Sequence, residues 1–83
     1  MRVSFTIHAR IVIHERGIPE EYIRRVIRCH DRVMPDSENP DLEHYLGKID
    51  ELNGRVLRVV LKKTVDFITV ITVYYDRSMR GKL

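Results

Sequence analysis

Tryptophan and glutamine are absent from this 83-residue chain, and it holds only one cysteine, two asparagines, three prolines and four glycines. The lone cysteine, Cys29, cannot close an intramolecular disulfide, which excludes a disulfide-stapled secreted domain and makes a reducing cytoplasm the expected compartment. No run approaches the ~18 consecutive apolar residues of a membrane-crossing helix. The opening Met1-Arg2-Val3-Ser4-Phe5 lacks the apolar stretch of a signal peptide, so no membrane association is expected. Gly17, Gly47, Gly54 and Gly81 are isolated from one another, which excludes a glycine-rich phosphate loop. Few amide side chains beside abundant Arg and Glu is the direction taken by thermophile compositions.

What is present is charge and aliphatic bulk, at 33% charged and 43% hydrophobic residues. A chain of this length folds as one domain and buries only somewhat over ~60% of the surface that its unfolded form exposes, so a deep enclosed cleft between two domains is excluded. The net charge of +3 hides a pattern: residues 1–35 carry +3, residues 36–54 carry −5 and residues 55–83 carry +5. Basic ends that fold together would make a cationic face suited to a phosphate backbone; a solvated charged surface is the competing outcome.

A single domain over residues 1–83 is expected, divided into a helical half with a short strand (1–35), a loop (36–41), strands (42–77) and a basic tail (78–83). In the first segment, Val3, Phe5, Ile7, Ala9, Ile11 and Ile13 occupy every odd position, which reads as a strand. Thr6 can equally cap a helix ending at Gly17, with Ile7 and Ile11 on one side and Ala9, Val12 and Ile13 on another. Residues 18–30 form an amphipathic helix with Pro19 in the first helical position and a stripe of Ile23, Val26, Ile27 and His30. Glu20 with Arg24 and Glu21 with Arg25 are i,i+4 pairs of favourable polarity. Arg32-Val33-Met34 reads as a short strand stopped by Pro35, and Pro35 to Asp41 as a surface loop.

Three strands follow, Leu42 to Glu51, Arg55 to Lys63 and Phe67 to Tyr75, the first two joined at Asn53-Gly54. A two-residue turn would put Lys48 and Asp50 on the face of Leu57, Val59 and Leu61. A three-residue loop with Gly54 left-handed at a bulge instead aligns Tyr45, Gly47 and Ile49 with those residues, and is the expected turn. The opposite face then gathers His44, Lys48, Arg58 and Lys62 around Leu46 and Val60 as an uncovered, mainly cationic surface. The register of the third strand stays open, since both of its faces are largely apolar.

The run His8-Ala9-Arg10 followed by Glu15-Arg16-Gly17-Ile18-Pro19-Glu20-Glu21, then Gly54-Arg55-Val56-Leu57-Arg58-Val59-Val60 and Ile71-Thr72-Val73-Tyr74, resembles the family labelled domain of unknown function 4258. The resemblance spans roughly residues 5–77. It implies an α+β fold with two N-terminal helices packed on one face of a small antiparallel sheet, similar to the RelE and BrnT toxin folds, and a first helix from about Thr6 to Arg16. It also implies a toxin of a toxin–antitoxin module, an endoribonuclease acting without metal on messenger RNA, ribosome-associated or free, with a small antitoxin as partner.

Metal-free RNA cleavage needs a group to activate the 2′-hydroxyl, a cation against the developing phosphorane charge and a proton donor to the leaving oxygen. The candidate catalytic residues are His8, Arg58, Tyr74 and Arg77, with Arg16, Lys48, Lys62, Tyr75 and Arg80 as RNA-binding residues. Structural alternatives are a cap or helix–sheet bond for His8, an ion pair for Arg16, a pair with Asp50 for Arg58, and disorder for the tail at Gly81-Lys82-Leu83. Cys29-His30, His8, His14 and His44 show no ligand spacing, so no metal or other cofactor is expected, and Cys29 is expected to be packed. A non-catalytic module that binds RNA or protein, and a homodimer pairing through exposed Leu46 and Val60, are the alternative readings.

Overall fold

In a computed structural model the structure describes residues 2–83. The chain runs β1 (Arg2–Phe5), α1 (Ile7–Arg16), α2 (Glu20–Cys29), β2 (Arg32–Pro35), β3 (Leu42–Ile49), β4 (Arg55–Lys63) and β5 (Phe67–Tyr75). The five strands form one sheet in the order β1-β5-β4-β3-β2. Both readings of the first segment are realised in succession. Val3 and Phe5 use the alternation as a strand, and Thr6 then caps α1, its Oγ1 accepting from the Ala9 amide at 3.0 Å while Gly17 closes the helix at φ 61°.

The strand β1 is a correction to the expected element order, and it makes the sheet mixed rather than antiparallel. Arg2 to Phe5 lie parallel to Phe67 to Val70, so the helices stand between strands instead of leading the chain. The pairing joins residues 65 positions apart, which no local pattern announces. In α1, Ala9, Val12 and Ile13 are buried, whereas Ile7 and Ile11 are exposed. The second helix starts one residue later than expected, with Pro19 as its extended cap residue. Both expected pairs form, Arg24 to Glu20 at 2.9 Å and Arg25 to Glu21 at 3.9 Å, and Cys29 is exposed at the helix end rather than packed. Among the described residues no helix is long and apolar enough to cross a membrane.

The core joins Ala9 and Ile13 of α1, Ile23 and Val26 of α2, and the sheet face that carries Tyr45, Ile49, Leu57, Val59, Leu61, Val70 and Val73. The β3–β4 connection is longer than the expected three residues: Asp50–Leu52 form a single 3-10 turn, Asn53 and Gly54 are both left-handed at φ 57° and 79°, and Ile49 pairs with Arg55. A five-residue connection differs from a three-residue one by two, so side-chain parity is preserved and Gly47 and Tyr45 still share the face of Leu57 and Val59. In β5 the open register is set by a bulge between Val60 and Leu61, whose partners are Thr72 and Val70.

Gly47 is required by packing, because a Cβ there would stand 2.9 Å from Val26 Cγ2. Gly47→Ala is expected to destabilise the fold by about 1–3 kcal/mol through overpacking against a stiff β-branched neighbour. Pairing it with Val26→Ala should recover part of that loss, measured as non-additive denaturation midpoints.

Candidate functional site

The sheet face turned away from the helices carries the expected His44, Leu46, Lys48, Arg58, Val60 and Lys62. It is not uncovered. After β5 the chain turns back across it: Arg80 Nη2 donates to the Asn53 carbonyl at 3.0 Å, and Arg32 Nη2 on edge strand β2 donates to the Lys82 carbonyl at 3.0 Å. The tail expected to be disordered is therefore tied to the β3–β4 turn and to the first residue of β2. Leu46 and Val60 are 0% and 5% exposed, which removes the apolar patch on which a homodimer was expected to form.

Arg58 is the largest correction among the site residues. Its Nε and Nη2 donate to Asp76 Oδ2 at 2.9 and 2.8 Å, and its Nη1 donates to His44 Nδ1 at 2.8 Å. Arginine can only donate, so His44 Nδ1 accepts and the ring carries its proton on Nε2, which donates to Asp36 Oδ1 at 2.7 Å. Asp36 in turn accepts the Glu38 and Asn39 amides, and Asp76 accepts the amide and hydroxyl of Ser78. The chain Asp36–His44–Arg58–Asp76–Ser78 thus fastens the 36–41 loop and the tail to the sheet. The Arg58 and Asp76 side chains are each 12% exposed. Every guanidinium nitrogen of Arg58 is engaged, so this cation holds the fold and is not offered to a phosphate. Asp50, its expected partner, takes no part.

Both carboxylates of the chain are held below the ordinary aspartate value. For Asp36 the main cause is the bond from His44, followed by the two loop amides. For Asp76 it is the bond from the Ser78 hydroxyl, with Arg58 adding to it against the cost of burial.

The remaining candidates sort by place. Arg16, Tyr74, Tyr75 and Arg77 converge on one open cleft of about 490 Å³, together with Arg55. Arg80 joins Arg55, Tyr75 and Arg77 around an adjoining recess. Arg16 reaches the cleft from the last turn of α1, where Nη1 donates to the Val73 carbonyl at 2.6 Å, so the expected ion pair is replaced by a bond to the sheet. Arg55 lies 4.0 Å from the centre of the Tyr75 ring. Burial raises the Tyr75 hydroxyl above the usual phenol range, against the pull of Arg55. Among the described residues none of Arg16, Arg55, Arg77 and Arg80 makes an ion pair with a carboxylate.

His8 is not in the cleft. It sits exposed in the first turn of α1, eight residues and therefore ~12 Å along the axis from Arg16. Lys62 lies towards the far end of β4 beside Thr69, and Lys48 is exposed beside Val56. Arg55 was missed because its closeness to Tyr75 depends on the β4–β5 register, in which Leu57 pairs with Tyr75.

The family described as Domain of unknown function (DUF4258) matches residues 5–75. The chain belongs to this family. No curated protein and no solved structure matches it. The DUF4258 match takes in α1 through β5 and so includes Arg16, Arg55, Tyr74 and Tyr75, whereas Arg77 and Arg80 lie beyond its end. Among the described residues no group of three or more His, Cys, Asp or Glu side chains is placed to hold a metal ion.

Proposed function

We propose that this DUF4258 protein binds single-stranded RNA in the Arg16–Arg55–Tyr74–Tyr75–Arg77 cleft, as the RNA-directed component of a toxin–antitoxin-like pair. The observation that carries the reading is the gathering of four arginines without carboxylate partners around two tyrosines on an open surface. A planar guanidinium matches a phosphate with two parallel bonds and keeps its charge at any physiological pH. Tyrosine rings offer faces on which unpaired bases stack, a sequence-tolerant contact worth about 1–3 kcal/mol per base. RNA cannot enter a buried pocket in a domain of this size, so an exposed cleft of arginine and tyrosine is the form such a site takes. A small acidic antitoxin covering the same cleft would compete with RNA for the arginines.

Cleavage is the second reading, favoured by the tyrosine hydroxyls beside Arg77 and by the raised Tyr75, which keeps its proton and so can serve as an acid. In that scheme the 2′-oxygen forms its bond to phosphorus as its proton passes to solvent water, the bond from phosphorus to the 5′-oxygen breaks as a tyrosine protonates that oxygen and is reprotonated by water, and Arg55 and Arg77 face the phosphorane charge. His8 and His44 contribute no base there, since one is at the far end of α1 and the other is committed to Asp36 and Arg58.

Fluorescence anisotropy with a single-stranded RNA of about 12 nucleotides tests the binding, a length covering the usual site sizes of such proteins. The wild type is expected to bind, and the Arg55→Ala/Arg77→Ala protein to bind at least about tenfold more weakly, one charge-assisted contact being worth about 1.5–3 kcal/mol. Wild type that fails to bind at low salt sinks the proposal. Gel analysis of the same RNA after incubation separates the two readings, since intact RNA at saturation leaves binding without cleavage.

A further inference from the structure

A second cavity, of about 440 Å³, opens between α2 and the sheet, well away from the cleft. Its floor is apolar, made by Val3, Ile27, Tyr45 and Ile68, and its rim is cationic, made by Arg24, Arg28, His30 and Lys63. The two sites lie towards opposite ends of β4: Arg55 opens the strand and Lys63 closes it, eight residues and ~26 Å away along an extended chain.

The cations of this rim are unequally available. Arg24 is engaged by Glu20 at 2.9 Å, but among the described residues Arg28 and Lys63 make no ion pair. Glu43 shares this face of the sheet, opposite Leu61, and pairs with neither. The His30 ring lies 4.2 Å from the Tyr45 ring at a tilt of 38°, which gives the cavity an aromatic wall. Tyr45 is 5% exposed, and among the described residues no buried side-chain nitrogen or oxygen is left without a hydrogen-bond partner.

Small-ligand sites are concave and mostly apolar, roughly 300–1,000 Å³ in volume, with a few convergent polar groups. This cavity answers that description. Its chemistry asks for a flat apolar body, to lie on Ile27 and Ile68 beside the aromatic pair, carrying an anion at one end. Two unpaired cations suit a phosphate monoester, which carries about −1.5 to −2 charges near neutral pH. The unpaired cations of the rim repel a cationic occupant.

We propose that this cavity binds a nucleoside monophosphate unit, free or as the 5′-phosphorylated end of an RNA strand, with the base against the Tyr45–His30 wall and the phosphate between Arg28 and Lys63. It does not rest on the RNA reading of the cleft, because the two sites share no residue. Binding here involves no chemical step.

Titrating labelled protein with adenosine 5′-monophosphate, adenosine and inorganic phosphate, and following backbone amide shifts, tests it. Shifts are expected at Ile27, His30, Lys63 and Ile68, with the monophosphate binding at least about tenfold more tightly than either fragment, as one charge-assisted contact predicts. Arg28→Ala/Lys63→Ala, both exposed positions, should weaken the nucleotide about tenfold with the rest of the spectrum unchanged, while Arg55→Ala/Arg77→Ala leaves its affinity as in the wild type. A 5′-phosphorylated trinucleotide that shifts the same amides, when its dephosphorylated form does not, assigns the site to RNA ends; binding of the mononucleotide alone assigns it to the free ligand. No shifts at millimolar nucleotide, equal affinity for inorganic phosphate, or shifts confined to Tyr75 and Arg77 would overturn it.

Discussion

Arg58→Ala is expected to lower the thermal unfolding midpoint by roughly 10–20 °C. Removing one partner of a buried ion pair typically costs about 3–5 kcal/mol, because the other charge is left without compensation. With 12% of each side chain exposed, some water reaches Asp76, and about 2–4 kcal/mol is the discounted expectation. A domain of this size shifts by about 4–8 °C per kcal/mol. The loss should exceed that of a single ion pair at the surface, since His44 Nδ1 also loses its donor and the tail loses its anchor at Asp76. Differential scanning calorimetry checks the value, and a shift below about 2 °C would show that the network carries no stability. The double variant Arg58→Met/Asp76→Leu should be less damaging than either single change, because no charge is then stranded. A growth or cleavage assay on Arg58→Ala reports the loss of the fold, so it says nothing about phosphate binding.

The same network makes the protein acid-sensitive in a defined direction. Asp36 and Asp76 have folded-state values below the unfolded ones, so their stabilisation is present above about pH 4 and is lost as pH falls through the folded values. Glu51 behaves likewise: Arg25 grips it through two bonds at 2.8 and 2.7 Å and holds it at about 2. Stability followed by chemical denaturation should therefore be flat from neutral pH down to about 5 and decline steadily below about 4.

The second large effect concerns RNA. For a single strand, log K falls with log salt at a slope of about −0.7 per phosphate neutralised. The Arg55→Ala/Arg77→Ala protein is therefore expected to bind about 10- to 100-fold more weakly at low salt, with a slope shallower by about 1.4. Tyr74→Ala removes a stacking platform without touching charge, so it should weaken binding about tenfold with the slope unchanged. Anisotropy titrations across a salt series separate these outcomes. An unaltered slope in the arginine variant would mean that the phosphates lie elsewhere on the protein.

Of the nine candidate residues, four come together in the cleft, and location alone had singled out three of them: Tyr74, Tyr75 and Arg77 at the end of the last strand. Their shared place was legible because all three lie within four positions at the end of the last strand. Arg16 was legible as a cation at a helix end, but its reach to the Val73 carbonyl depends on how α1 lies over β5. Arg58 was read correctly onto its face of β4, but the carboxylate weighed as its partner was Asp50, because Asp76 is 18 residues away and comes alongside only when the tail folds back.

What the sequence by itself determined was local: α2 with its ion pairs, the spans of β4 and β5, and the face on which each side chain of the β3 hairpin lies, all of which follow from period and from turn residues acting over a few positions. Only the tertiary structure decided the parallel pairing of β1 with β5, the β5 bulge, the path of the tail and thus which arginines are bound to the fold and which are left for a ligand. Those depend on contacts between residues far apart in the chain, where a charge has the same local signature whether a carboxylate or water will meet it.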